Sequence, residues 1–167
     1  MRQVLGQILI ISGLVLVSYW AVHNYLRNRT LQVPTNSVVT SHSLNAPIWI
    51  VIPHRLSLGI KPAQVVNGHW NVWPDSVTYL PTDSTNTVIY AHNTKPLFGD
   101  LKKVKVGDKI DIIDKQALTI HYVVSQIAVV DPLQVELLGP TLEPVITVYT
   151  CTGFLDSQRL VVRATRM

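Results

Sequence analysis

The chain has very little cysteine: Cys151 is the only residue of that type among the 167. A single cysteine forms no internal disulfide, so the disulfide-stapled frameworks of small secreted proteins are excluded. A free cysteine is usually a buried and chemically inert residue. The alternative is a nucleophile, and the surroundings of Cys151 have to decide between these two interpretations.

The chain is also poor in charge, with 14 Lys and Arg against 10 Asp and Glu and a formal net charge of +4. Three of the cations, Arg2, Arg27 and Arg29, flank an apolar N-terminal run, and beyond Thr30 the two signs nearly balance. No basic stripe with interleaved aromatic residues remains, which excludes a nucleic-acid-binding surface. The acidic residues form no recognisable calcium loop, so we predict no metal and no cofactor.

One long apolar run is present, from Val4 to Val22, and it contains no charged side chain. As a helix rising about 1.5 Å per residue, it matches a bilayer core about 30 Å thick. The run is long for a signal peptide and lacks a small-residue cleavage site, and a buried core helix would need a larger partner domain. We predict an uncleaved anchor at residues 1–29, of undecided orientation by the positive-inside rule, and a flexible tether at residues 30–47.

The remaining residues, 48–167, have the size of one domain with one core. Short β-branched and aromatic runs alternate with turn residues, which is typical of an all-β protein. We expect about seven or eight strands in a closed or nearly closed β-barrel, with one or two short helices. Strands are predicted at 48–52, 56–61, 87–91, 110–113, 118–130, 145–150 and 160–162, an irregular segment at 65–73, and short helical segments within 96–104 and 133–138.

The last two predicted strands place the cysteine beside a cation. The strand at 145–150 leads into Cys151, a polar turn containing Gly153 follows, and Arg159 opens the next strand. If the two strands pair as neighbours about 5 Å apart, Cys151 faces Arg159. A fixed cation stabilises the thiolate, which is the nucleophilic form of cysteine.

Six histidines are candidate partners for this thiol. Five of them lie in the anchor, the tether, irregular surroundings or the solvent face of a strand: His23, His42, His54, His69 and His121. His92 instead ends the predicted strand at 87–91 and begins a loop, where barrels display functional groups. His92 is therefore the predicted partner of Cys151, although a lone histidine more often has a structural role.

Two blocks of the sequence resemble the sortase family. Residues 88–93 and 97–110 are similar to the central block of that family. Residues 147–151 and 159–164 resemble its C-terminal motif, TLxTC…RLVV, with Val148 in place of the leucine. The resemblance extends over the whole predicted barrel, and an N-terminal anchor and tether also suit the family. It does not assign a subclass.

The resemblance implies a cysteine transpeptidase that attaches surface proteins to the cell wall or to one another. Cys151 would attack the carbonyl of a Thr–Gly bond in a C-terminal sorting motif and form a thioester. His92 would serve as general acid for the leaving amine and then as base for the incoming one. Arg159 would hold the substrate and stabilise the oxyanion. The acceptor amine would come from a cell-wall precursor or another protein subunit.

The same resemblance implies weaker substrate contacts at Thr150, Ala91 and the segment 131–143. Ordinary strand packing is an equally good interpretation of Thr150. The resemblance also implies a single-pass protein of the cell membrane with an extracytoplasmic catalytic domain. Tethering would raise the effective concentration of enzyme and membrane-bound substrate for each other.

Two other functions stay open. A cysteine peptidase would use the same three residues with water in place of the amine, and the shape of the site decides between these acceptors. A non-catalytic, membrane-anchored peptide-binding β-domain would instead have a thiol with an ordinary pKa of about 8.5.

Overall fold

The computed structural model of the protein describes residues 2–27, 46–66, 69–81 and 85–167. The chain forms two compact units, Met1–Thr30 and Leu31–Met167. The described residues of the first unit form the helix α1 (Arg2–Arg27). Over the described residues, no helix combines the length and the apolar character needed to cross a membrane.

The predicted membrane anchor at residues 1–29 stays a prediction of the sequence. The predicted tether at residues 30–47 lies outside the described residues except for Ala46 and Pro47, and Pro47 already begins the first strand.

The second unit is all-β, as predicted from the sequence. Its strands in the described residues are β1 (Pro47–Ile52), β2 (Leu56–Pro62), β3 (Gln64–Val66), β4 (His69–Asn71), β5 (Val77–Leu80), β6 (Asn86–Tyr90), β7 (Lys109–Asp114), β8 (Thr119–Val130), β9 (Val145–Thr152) and β10 (Gln158–Arg166). Eight of them close into a barrel in the order β1-β2-β5-β6-β9-β10-β8-β7, and β3 and β4 form a separate two-stranded sheet. The expected closed barrel is confirmed.

Three details differ from the sequence-based expectation. β5 was not predicted, because its four side chains are all buried and show no alternation. It pairs parallel with β2 and antiparallel with β6, and so forms part of the barrel wall. The segment 65–73 was predicted to be irregular, but it contributes to the β3–β4 pair. The described residues contain three short 3₁₀ helices rather than one or two: Phe98–Lys103, Val135–Leu138 and Phe154–Asp156.

β9 organises the part of the barrel that carries the candidate site. It pairs parallel with β6 on one side and antiparallel with β10 on the other. Successive side chains of a strand point to opposite faces, so each of these strands contributes to two apolar clusters. The barrel interior receives Ile89, Ile146, Val148, Leu160 and Val162.

A second, smaller cluster collects the alternate side chains of the same strands: Val88, Tyr90, Tyr149, Cys151 and Val161. This cluster lies on the outer face of the barrel wall, because the interior is filled by the residues of opposite parity. Trp70 of β4 is buried in it, and Leu137 and Leu138 pack against it. The only cysteine thus lies on the outer face of the wall, in a cluster that Trp70, Leu137 and Leu138 partly shield from solvent.

Candidate active site

Cys151 and Arg159 face each other across the β9–β10 pair. Their Cα atoms are register partners, so the two side chains lie on the same face of the sheet. Both are buried, with 8% of Cys151 and 6% of Arg159 exposed. Arginine is rarely buried to this extent unless its charge is satisfied, so its environment calls for a specific explanation.

The turn between β9 and β10 supplies part of that environment. Gly153 has a φ of 79°, and Leu155 and Asp156 have φ values of 53° and 59°, all in the left-handed region. Non-glycine residues adopt this conformation only at a cost, so the turn is held by its contacts. Nη1 of Arg159 donates hydrogen bonds to the carbonyl oxygens of Asp156 at 2.8 Å and Gln158 at 2.9 Å. The guanidinium therefore braces the loop that follows the nucleophile.

Tyr90, at the end of β6, connects the cysteine to the predicted histidine. Its hydroxyl oxygen lies 3.6 Å from Sγ of Cys151 and 3.2 Å from Nδ1 of His92. The rings of Tyr90 and His92 meet edge to face, with centroids 5.5 Å apart. Tyr90 is also the register partner of Tyr149, and these two rings are 5.0 Å apart. The hydroxyl thus bridges the thiol and the imidazole.

The loop that carries His92 is held by its own backbone and by the barrel core. The carbonyl oxygen of His92 accepts hydrogen bonds from the N–H groups of Thr94 at 2.9 Å and Phe98 at 3.1 Å. Phe98 is fully buried, and burial of a side chain of this size contributes about 1.5–3 kcal/mol. His92 itself is half-buried.

Burial decides the protonation of the site. Desolvation raises the pKa of the Cys151 thiol, and the charge of Arg159 and the hydrogen bond with Tyr90 lower that pKa by less. Asp156 raises it slightly further. The expected stabilisation of the thiolate by Arg159 has the predicted sign, but it is outweighed. Burial also raises the pKa of Tyr90, with a further increase from the neighbouring Cys151, so both groups are neutral near pH 7.

Thr150 and Ala91, the weaker candidates for substrate contact, lie on the other face of the wall. Thr150 alternates with Cys151 along β9, and its hydroxyl donates a hydrogen bond of 2.7 Å to the carbonyl oxygen of Ala91. Both residues are buried, at 1% and 0% exposed. This bond joins the residue before Cys151 to the residue before His92. Contact of either residue with a substrate stays a prediction.

The segment 131–143 borders the outer cluster beside Arg159. The carbonyl oxygen of Leu137 accepts a hydrogen bond of 2.7 Å from Nη2 of Arg163 and one of 3.2 Å from Nδ2 of Asn86. Nδ2 of Asn86 also donates to the carbonyl oxygen of Gly139 at 3.0 Å. A crevice next to the guanidinium of Arg159 is lined by Val130, Asp131, Pro132, Gln134, Leu137, Leu138, Tyr149 and Val161.

The other histidines are not part of this arrangement where they are described. His54 is exposed in the turn after β1, with a φ of 61°. His121 is exposed on β8, as predicted, and its Nδ1 lies 2.8 Å from Oδ1 of Asp111. The side chains of His23, His42 and His69 lie outside the described residues. Within the described part of the chain, no group of three or more His, Cys, Asp or Glu is placed to hold a metal ion.

Tyr90 is the site residue that sequence reasoning missed. A signal for it exists, because residues two apart in an extended strand point to the same face, and Tyr90 precedes His92 by two. Nothing in the sequence alone shows that the same hydroxyl reaches Cys151, 61 residues away along the chain.

Several solved structures are similar to this chain. Sortase C1 of Streptococcus suis shares 29% identity over 74% of both chains, with a TM-score of 0.61. Sortase C1 of Streptococcus agalactiae, in complex with MTSET, shares 27% identity over 91% of this chain and 86% of its own, with a TM-score of 0.64. A lid mutant of sortase A of Corynebacterium diphtheriae shares 26% identity over 88% of this chain and 94% of its own, with a TM-score of 0.63.

A search of curated protein sequences found no match. The family model of the sortase domain matches residues 41–167, which includes the whole barrel and every residue of the candidate site. That match spans well over half of the chain and agrees with the eight-stranded barrel and its single cysteine. The chain belongs to the sortase family and is a cysteine transpeptidase.

Proposed function

We propose that this sortase uses Cys151, His92 and Arg159 to cleave a C-terminal sorting motif of surface proteins and to transfer the acyl group to an amine. One observation carries the proposal. A buried thiol and a buried guanidinium are register partners on the outer face of the barrel, and Tyr90 links that thiol to His92. Buried polar and charged side chains grouped in this way, with a perturbed thiol pKa, are typical of a reactive centre.

In the proposed reaction, Sγ of Cys151 attacks the scissile carbonyl carbon of the motif and the carbonyl oxygen becomes an oxyanion. Arg159 stabilises that oxyanion with N–H donors that its loop contacts leave available. His92 gives a proton to the leaving amine, which departs and leaves a thioester on Cys151. An incoming amine then attacks the thioester while His92 takes its proton.

The raised pKa of Cys151 has a mechanistic consequence. Near pH 7 the resting thiol is protonated, so its proton has to pass to His92 when the carbonyl carbon is attacked, and His92 in turn gives a proton to the leaving amine. Binding of a peptide over Cys151 and Arg159 would exclude water and strengthen the attraction between the guanidinium and the developing negative charge. We assign the sorting motif to the outer face of the wall over Cys151, with the segment 131–143 to one side of it and Thr150 and Ala91 as supports from beneath.

We further propose that residues 1–29 hold the enzyme in the cell membrane, with the barrel on the extracytoplasmic side. The support is the uncharged run from Val4 to Val22 in the sequence and the exposure of large apolar side chains along α1, among them Leu9, Leu14, Leu16 and Trp20. Fractionation of cells that produce the full chain tests this part. Recovery in the membrane pellet, resistant to high salt and released by detergent, is expected.

The reaction is tested with the full-length chain, a small library of sorting-type peptides and an added amine such as triglycine. Intact-mass spectrometry should show an acyl adduct on Cys151 that is converted into an amine-linked peptide. Cys151→Ala should keep the fold, because the substitution removes one small side chain, and should show neither adduct nor product. Product formation by Cys151→Ala would refute the assignment.

The same experiment separates the other functions. An adduct that only hydrolyses, with any amine present, would identify a peptidase. No adduct, together with a thiol that titrates at its ordinary pKa, would identify a peptide-binding domain.

A further inference from the structure

The hydroxyl of Tyr90 occupies the place where a direct contact between nucleophile and histidine would be expected. It lies 3.6 Å from Sγ of Cys151 and 3.2 Å from Nδ1 of His92, which are hydrogen-bonding distances for sulfur and nitrogen partners. A hydroxyl has one proton and two acceptor lone pairs, so it can accept from one of these groups while it donates to the other. The apolar side chains of the outer cluster, such as Val88 and Val161, cannot transfer a proton in this way.

We propose that Tyr90 is a further catalytic residue of this sortase, a relay that carries the proton between the thiol of Cys151 and Nδ1 of His92. The inference rests on the proposed function and adds a fourth group to it. Direct contact with the nucleophilic sulfur, burial of the ring to 8% exposure and an edge-to-face contact with His92 all place the hydroxyl between the two titrating groups.

The relay balances in the acylation half of the reaction. The S–H bond of Cys151 breaks as that proton bonds to the oxygen of Tyr90, and the O–H bond of Tyr90 breaks as its own proton bonds to Nδ1 of His92. The result is a thiolate, a neutral tyrosine and an imidazolium. As the thiolate attacks the carbonyl carbon, His92 is ready to release the proton on its other nitrogen, Nε2, to the leaving amine.

The deacylation half restores the starting state. The acceptor amine attacks the thioester and gives a proton to Nε2 of His92, which makes the ring an imidazolium again. When the C–S bond breaks, the Nδ1 proton returns through the oxygen of Tyr90 to Sγ of Cys151. Each proton that leaves one atom is received by another, and no oxidant, metal or further co-reactant is needed.

The surroundings favour a hydroxyl that stays neutral and oriented. Burial raises the pKa of Tyr90, so the phenol does not ionise in the working range and exchanges protons only in concert. The titratable and charged groups that face the thiol are Tyr90 from β6, Tyr149 from its own strand, Arg159 from β10 and Asp156 from the following turn. Tyr90 also contacts the ring of His92.

The test compares Tyr90→Phe with Tyr122→Phe in the full-length chain. Phenylalanine keeps the ring packing and removes only the hydroxyl. Tyr122 is also a buried tyrosine of the barrel, but it pairs with Arg166 at the far end of β10 from Arg159, about 23 Å away along the strand.

Two readouts report on the relay. The first needs no peptide: the pH midpoint for alkylation of Cys151 by iodoacetamide should rise by roughly one unit in Tyr90→Phe, because the thiolate loses a donor. The second readout is the single-turnover rate of acylation by the sorting-type peptide that acylates the wild type. This rate should fall at least about 10-fold at saturating peptide in Tyr90→Phe, with little change in KM. Tyr122→Phe should match the wild type in both readouts.

Acylation by Tyr90→Phe within about twofold of the wild type, or an unchanged alkylation midpoint, would overturn the relay. If Tyr90→Phe does not fold, the wild-type chain still decides the matter. Capping Cys151 with methyl methanethiosulfonate should shift the titration of the His92 ring in ¹⁵N NMR, and an unshifted titration overturns the proposal. A wild type that never acylates would refute the proposed function, whereas the alkylation midpoint would still test the hydrogen bond itself.

Discussion

Arg159→Lys separates the charge of the guanidinium from its shape. In the structure, Nη1 donates hydrogen bonds to the carbonyl oxygens of Asp156 and Gln158, which leaves the N–H groups of Nη2 and Nε as donors for an oxyanion. A lysine ammonium brings the same charge but places its three donors around a single point. It can brace the turn or meet the oxyanion, but it does not reach both sites at once.

The expected loss follows from that geometry. Removal of one oxyanion donor typically lowers kcat by about 10²–10³-fold, or about 3–4 kcal/mol of transition-state stabilisation. We therefore expect kcat for Arg159→Lys to fall by about that factor, with a smaller change in KM. A single ammonium replaces the two bracing hydrogen bonds only in part, so the free energy of unfolding should also fall by about 1–3 kcal/mol. The pKa of Cys151 should rise in Arg159→Met, which removes the charge, and much less in Arg159→Lys.

The assay is the transpeptidation rate on the peptide identified by mass spectrometry, combined with urea unfolding of each variant. Arg55→Lys is a matched control, because Nη2 of Arg55 donates to Oδ2 of Asp108 at 3.2 Å in a half-buried ion pair outside the site. Its turnover should equal that of the wild type. Near-wild-type turnover of Arg159→Lys would show that Arg159 has only a structural role.

Two further predictions concern stability. Thr150→Val leaves the buried carbonyl oxygen of Ala91 without its 2.7 Å donor, so the free energy of unfolding in urea should fall by about 1–3 kcal/mol. The control is Thr119→Val at an exposed position, which should change the free energy of unfolding little. Equal effects of the two variants would contradict the role of this hydrogen bond. Burial raises the pKa of the Cys151 thiol in the folded state above its unfolded value of about 8.5. The contribution of the protonated thiol to the free energy of unfolding is therefore complete below the unfolded pKa and is lost as the pH rises through the folded pKa. Wild type should therefore lose stability relative to Cys151→Ala as the pH rises above about 8.5, and a constant difference between the two would show that the thiol is not protonated more tightly in the folded chain.

Much of the fold was accessible from the sequence because strands carry a local signal. β9 and β10 were predicted from β-branched and aromatic runs that end at a polar turn, and the turn contains Gly153 in the left-handed conformation. Pairing two such strands in sequence needs only a short reversal, so the opposition of Cys151 and Arg159 followed from local pattern alone. β5 was missed because a fully buried four-residue strand lacks the alternation by which half-buried strands are recognised.

The sequence by itself determined the class of fold, the family and the residue types available for chemistry, because these depend on local pattern and on motifs with a fixed order. Only the tertiary structure decided that Cys151 lies on the outer face of the barrel, that burial outweighs Arg159 in setting the direction of its pKa shift, and that Tyr90 joins it to His92. The physical reason is that desolvation and hydrogen bonding depend on which distant strands become neighbours. The parallel pairing of β6 with β9 brings Tyr90 and Cys151 together across 61 residues of chain.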